Sequence, residues 1–171
     1  MGPNYLENPR DLEKAFLKWN KFIYNYVYLR LQSREAAEDV SQEVFFSAWR
    51  SRETFNPKKS SLKNWLFVIA TNQIRNYLRA TIGKNTVDLE EIKEMVKDEK
   101  ENISMEAERN NMIELVFEKL KKLNERDQEI LILRYQQDLS MKEISAILDM
   151  EYSAAKVAIH RATKKLAALC A

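Results

Sequence analysis

Ser140 to Leu169 constrains this chain more tightly than any other stretch. Ser140-Met141-Lys142-Glu143 has the form in which a serine hydroxyl caps a helix and the glutamate three residues on caps the serine's own amide. Ile144, Ile147 and Leu148 then give a short helix a narrow apolar stripe. Asp149-Met150-Glu151 breaks that pattern, and Ser153 offers the cap of a second helix. From Ala154 onward there is no acidic residue, while Lys156, Arg161, Lys164 and Lys165 are basic. Upstream, Leu123 to Leu133 reads as one amphipathic helix. A short helix, a tight turn and a basic helix form a helix-turn-helix, the arrangement that lays side chains in a DNA major groove.

The rest of the chain carries the same helical signature. Its 171 residues include 2 glycines and 3 prolines, and 45% are hydrophobic, so long helices with real cores are expected. Leu12 to Leu31 repeats Phe16, Trp19, Ile23, Tyr26 and Val27 at helical spacing. Ser33 can cap a second helix that runs to about Arg52 and buries Ala36, Val40, Val44, Ala48 and one of Phe45 and Phe46. Thr54 to Ser61 reads as a loop, because Asn56 stands before Pro57. A third helix from Leu62 to about Ala80 carries Trp65, Leu66, Ile69, Ile74, Tyr77 and Leu78, and Gly83 fits its stop. The prediction is an all-α protein of two small helical domains, residues 1–82 and 111–171. An acidic linker, residues 83–110, joins them, and in it Leu89, Ile92 and Val96 could form one face of a short helix.

Divided along the chain, the formal net charge of +2 becomes informative. Arg10 to Ala80 holds 13 basic and 7 acidic residues, a net of +6. Thr81 to Asn110 holds 5 against 9, a net of −4, and Asn111 to the end holds 10 against 9, a net of +1; Glu7 supplies the remaining negative charge. Two basic or neutral lobes around an acidic connector point to an elongated polyanion or a larger assembly as partner.

Other classes are disfavoured. There is no apolar run of about 18 residues that would span a membrane, and Met1 to Arg10 lacks the apolar core of a signal peptide. A lone cysteine, Cys170, forms no intrachain disulfide, which suits a reducing cytoplasm. His160, the single histidine, has no cysteine or carboxylate partners at ligand spacing, so neither a metal nor another cofactor is expected. No nucleophile–base pairing, glycine-rich phosphate loop or metal-spaced cluster marks an enzyme, so no catalytic residues and no small-molecule substrate are expected.

Two blocks carry a resemblance to a known family. The first is Asp39-Val40-Ser41-Gln42-Glu43-Val44-Phe45, followed by Ala48-Trp49-Arg50, Phe55-Asn56-Pro57 and Trp65-Leu66-Phe67-Val68-Ile69-Ala70-Thr71-Asn72. The second is Leu123 to Leu166. Their order and spacing resemble the extracytoplasmic-function group of sigma-70-type transcription initiation factors, over about 140 residues. The resemblance implies a protein that binds core RNA polymerase, reads the −35 promoter element as duplex and melts the −10 element to single strands. It also implies an anti-sigma partner, with a membrane-bound one among the alternatives.

Asp39, Gln42 and Glu43 stand at i, i+3 and i+4 and share one helix face. Alone they suit a solvated face; with the flanking motif they and Phe45 are expected to dock on the polymerase clamp helices. Flipping a base out of the duplex calls for aromatic stacking beside cations. Lys58, Lys59, Lys63, Arg75 and Arg79 interleave with Trp65, Phe67 and Tyr77 in a way that suits it. By resemblance, Asn56, Ser60 and Ser61 belong to the loop that grips the flipped base, and Asn72 lies near its pocket. Trp65 could equally pack in the core. Ser41, Thr71, Arg75 and the Val157-Ala158 pair depart from common family residues, the last removing an arginine able to read guanine. On the second helix of the helix-turn-helix, Ala155, Ile159, Ala162, Leu166 and Leu169 fall toward the core. Ser153, Lys156, Val157, His160, Arg161 and Lys164 face outward, predicting −35 reading through phosphates, A·T pairs and groove shape.

In the family the connector threads toward the polymerase active-site and RNA-exit channels; a solvated tether is the alternative. A different class also fits the helix-turn-helix: a stand-alone transcriptional regulator whose first lobe dimerises or senses. The relative orientation of the lobes is open at this level, including a closed arrangement in which they pack together.

Overall fold

Asn8 begins the first helix, α1 (Pro9–Leu31), by accepting the amides of Arg10 and Asp11 on its side-chain oxygen, with Pro9 pre-set for the first helical position. The structure is a computed structural model that describes residues 6, 8–81 and 116–170. Gln32 ends α1 in the left-handed region, φ 52°, with its amide closing on the Tyr28 carbonyl. Ser33 then caps α2 (Arg34–Arg50), as its sequence suggests. A single 3-10 turn, Arg52–Thr54, leads into the loop around Asn56-Pro57, and Ser61 accepts the Asn64 amide to start α3 (Leu62–Thr81).

α2 and α3 bury one stripe each, whereas α1 is covered all round from Tyr26 to Leu31. Ile23, Tyr26 and Val27 of α1 meet Ala37, Val44 and Ala48 of α2 and Leu66, Phe67, Ala70 and Ile74 of α3. The choice between Phe45 and Phe46 is settled by register. Phe45 continues the Ala37–Ser41–Ala48 stripe and sets its ring edge-on to Phe16 at 5.0 Å, whereas Phe46, a helical step of about 100° away, is 59% exposed.

The second group of helices is built from caps. Residues 116–121 are helical, a break at 122–124 follows, and Asn124 caps α4 (Glu125–Leu131) by accepting the Asp127 amide. The helix expected from Leu123 to Leu133 therefore begins two residues later, at Glu125, because Asn124 is its cap, and α4 runs on into a π turn, Ile132–Gln136. Ser140 and Glu143 form the reciprocal cap of α5 (Met141–Ile147), with Ser140 donating its amide to Glu143 Oε2 at 2.9 Å. Asp149, at φ 51°, makes the turn into α6 (Tyr152–Cys170). Ser153 is not its cap: Ala155 N bonds to Glu151 O, so the helix starts two residues earlier and Ser153 lies in the first turn. Ala155, Ala158 and Ala162 are the buried residues of α6, and α4 and α5 both pack on it.

α3 packs on α5 and α1 on the π turn, so buried residues of both halves form one continuous core. Among the described residues there is no strand, and no helix is long and apolar enough to cross a membrane. Gly83 and the connector residues Leu89, Ile92 and Val96 lie outside the described residues.

Candidate nucleic-acid interface

The outward face of α2 presents Asp39 and Gln42 to solvent, with Glu43 half-buried beside them. Glu43 is paired with Arg50 and also accepts the Ser47 hydroxyl at 3.1 Å, which holds one carboxylate of the patch in place. Phe45, expected among the docking residues, is 5% exposed and belongs to the core; the ring that stands on this face is Phe46, at i+3 from Glu43 and i+4 from Gln42.

The loop between α2 and α3 is ordered by its own side chains. Asn56 Oδ1 accepts the Lys58 amide at 3.0 Å, and Ser60 Oγ donates to the Ser61 carbonyl, leaving the Lys58 and Lys59 ammonium groups exposed. Trp65 is half-buried with its ring 5.1 Å from that of Phe55, so one side packs and an edge stays accessible. Asn72 and Arg79 are exposed. Phe67, expected to face the melted strand, is instead fully buried, edge-on to Tyr26 at 5.3 Å, because it shares the inward stripe with Ala70 and Ile74 and has no face left for a base. Lys63 and Arg75 are not free either. Lys63 Nζ donates to the Gln137 carbonyl at 3.5 Å, and Arg75 donates to Glu129 at 3.1 Å, both on the second group of helices.

On α6, Ser153, Lys156, Val157, His160, Arg161 and Lys164 are all exposed, Val157 at 67%. Lys156 Nζ sits over the exposed Tyr152 ring at 5.9 Å. Position 158 faces inward, so the residue there is read by α6's neighbours rather than by a groove. Arg161 is held at one edge: it donates to Asp127 Oδ1 at 3.3 Å, while Lys165 donates to Oδ2 at 2.5 Å. Burial works to raise the Asp127 pKa, yet the hydrogen bonds from Lys165 and Arg161 outweigh it and hold the carboxyl below its ordinary value. No group of ligating side chains able to hold a metal occurs among the described residues.

Phe46, Asp127, Glu129 and Tyr26 emerge as site residues only in three dimensions. Glu129 did carry a signal, since it stands three and four residues before Ile132 and Leu133 and therefore on the apolar side of its helix.

Residues 15–81 match the family model for sigma-70 region 2, and residues 113–166 match that for sigma-70 region 4. The chain is 30% identical to the ECF RNA polymerase sigma factor SigW of Bacillus subtilis, covering 84% of this chain and 80% of that one. It is 27% identical to the RNA polymerase sigma factor YlaC of the same organism, covering 91% and 90%. Its fold is similar to that of the sigma factor RpoE of Bartonella quintana, solved in complex with the anti-sigma factor NepR. That similarity has a TM-score of 0.68 at 19% identity and covers 94% of this chain and 97% of that one. The chain belongs to the extracytoplasmic-function group of the sigma-70 family of RNA polymerase sigma factors. The match of the first three helices to region 2 favours a sigma factor over a stand-alone regulator with a sensing lobe.

Proposed function

We propose that this sigma factor divides its work between residues 1–82 and residues 111–171, with residues 83–110 as the tether. The α2 face of Asp39, Gln42, Glu43 and Phe46 docks on core RNA polymerase. The loop of Asn56, Lys58, Lys59, Ser60 and Ser61, with Lys63, Trp65, Asn72, Arg75 and Arg79, receives the melted −10 strand. Ser153, Lys156, Val157, His160, Arg161 and Lys164 of α6 read the −35 duplex. The chain itself catalyses nothing; it selects where its partner starts. An anti-sigma protein is its regulator, a reading supported by the solved relative bound to one.

The observation that carries this proposal is the exposed α2 face. Two uncompensated polar side chains and a large exposed ring share one side of a helix whose other side is core. A ring surrounded by polar groups is how a docking surface differs from a solvated face. The test is a titration of the chain against labelled core polymerase, with Asp39, Gln42 and Glu43 replaced together by alanine. Tight binding that the triple variant loses, at unchanged helicity, is the expected result; equal affinity for both proteins would remove the α2 assignment.

A further inference from the structure

Glu129 is an acid with its side chain 4% exposed, carried by α4 but buried against the other group of helices. Its Oε2 accepts from Arg75 of α3 at 3.1 Å, and its Oε1 accepts from the Tyr26 hydroxyl of α1 at 3.5 Å. Tyr26 is completely buried, and its oxygen lies 2.9 Å from Thr71 Oγ1. With Tyr26 donating to Glu129, Thr71 donates to Tyr26, and each hydroxyl proton in the chain of three has an acceptor. α1 and α3 thus form a socket for one carboxylate: a tyrosine hydroxyl backed by a threonine, and a guanidinium.

Further contacts close the same seam at both ends. Arg30, 7% exposed near the end of α1, donates to the Glu125 carbonyl at 3.1 Å and to Gln128 Oε1 at 3.5 Å. At the other end, Lys63 reaches the Gln137 carbonyl and the Asn64 side chain bonds to Glu143. Lys63 and Arg75, two of the cations assigned to the −10 strand, are thus engaged within the protein. The α2 face is not: Asp39, Gln42 and Phe46 stay exposed.

We infer that Glu129 is an intramolecular latch. It occupies the Tyr26–Thr71–Arg75 socket in the free chain, keeps the two groups of helices closed and withholds Lys63 and Arg75 from single-stranded DNA, while leaving the docking face of α2 open. The inference rests on the proposed function for what those cations bind, but not for the closure itself. The chemistry of the seam suits a reversible contact. A buried carboxylate needs partners for its charge, and when the seam opens, Glu129, Arg75 and Arg30 all regain water. A cavity of about 290 Å³ lined by Arg30, Arg75, Arg126, Glu129 and Met150 already brings open space to the ion pair. The order of events follows: docking through α2 comes first, and opening, which frees the strand-binding face, comes second.

The experiment uses the full chain with dyes on Cys170 and on a cysteine introduced by Lys21→Cys, both exposed positions on opposite sides of the seam. Glu129→Gln and Arg30→Gln weaken the latch from its two sides. Single-molecule energy transfer should show one high-efficiency population in the parent. Each variant should raise the low-efficiency population by about tenfold or more, the scale of a charge-assisted hydrogen bond. On unlabelled protein, affinity for a fluorescein-tagged, mixed-sequence single-stranded DNA should rise several-fold in both variants, with affinity for core polymerase unchanged. Energy-transfer distributions and DNA affinities identical to the parent in both variants would overturn the latch. If circular dichroism shows that either variant has lost helicity, Tyr26→Phe, which removes one oxygen, takes its place with a smaller shift in the same direction, and no shift overturns the proposal. Opening in a chain that fails to bind polymerase would sink the proposed function and leave the latch; polymerase binding with an unresponsive seam would do the reverse.

Discussion

Lys165 Nζ stands 2.5 Å from Asp127 Oδ2, and the Asp127 side chain is 1% exposed while that of the lysine is 43% exposed. Arg161 shares the same carboxylate, and Asn124 donates to it from the cap of α4. The acid therefore ties the start of α4 to the middle of the basic helix α6. It draws two cations of α6 to the inner edge of that helix.

Removing either side of this contact has unequal effects. Asp127→Ala lets two half-exposed cations return to water and should destabilise the fold by about 1–3 kcal/mol. Replacing Arg161 and Lys165 together by methionine strands a buried carboxylate and should lower stability more, by about 3–5 kcal/mol. Urea denaturation of the two variants tests the order; equal losses would mean that Asp127 is solvated in the folded protein.

The same carboxylate gives an acid limb to stability. Its pKa in the folded chain is below the ordinary carboxylate value, so the contribution is fully present above the unfolded value near 4. It is lost as pH falls from there through the folded pKa. Asp127→Asn should flatten this part of the stability–pH curve measured by thermal melting, and an unaltered slope would assign the acid limb to other groups.

Phe45 and Phe46 should separate stability from docking. Phe45→Ala empties a buried site and should cost about 3–5 kcal/mol. Phe46→Ala should change stability by no more than about 0.5 kcal/mol while weakening polymerase binding. A Phe46 variant with full affinity would confine docking to the polar residues of the face.

Lys156 and Arg161 should differ in their effect on duplex binding. Lys156 meets no carboxylate and is free for a phosphate, so Lys156→Ala should reduce the salt slope of −35 binding by about one. Arg161→Ala should reduce it by less, because Asp127 already neutralises part of its charge. Slopes measured by anisotropy across a salt series decide this.

Gln32 ends α1 in a region that a β-carbon disfavours by about 1–2 kcal/mol, at φ 52°. Gln32→Gly should raise the denaturation midpoint by the equivalent of up to about 1 kcal/mol, less what glycine adds to the disorder of the unfolded chain. A lowered midpoint would mean that the Gln32 side chain makes a contact worth more than the strain.

Much of this protein is decided by neighbours in sequence. Asn56-Pro57, Ser33 and the Ser140–Glu143 box set helix ends because caps and turns are contacts between residues two to four apart. Helical period likewise identifies the inward stripe of each helix, and the region 2 and region 4 motifs lie within those helices. Helical period is too coarse where two rings stand one residue apart. Phe45 and Phe46 differ by one step, so only the neighbouring helices decide which ring is covered, whereas Phe67 stands three and seven residues before Ala70 and Ile74 and its spacing already puts it on the inward stripe. Ser153 marks a similar limit, since a serine in the first turn and one at the cap look alike in sequence.

By itself, then, the sequence determines that the chain is helical, where most of its helices begin, and which family it joins, because all three rest on local spacing. Only the tertiary structure decides that Glu129 meets Arg75, 54 residues away, and Tyr26, 103 residues away, and that Asp127 meets Lys165. Such pairs depend on how whole helices dock, and that is set by the sum of many weak apolar contacts rather than by any short motif.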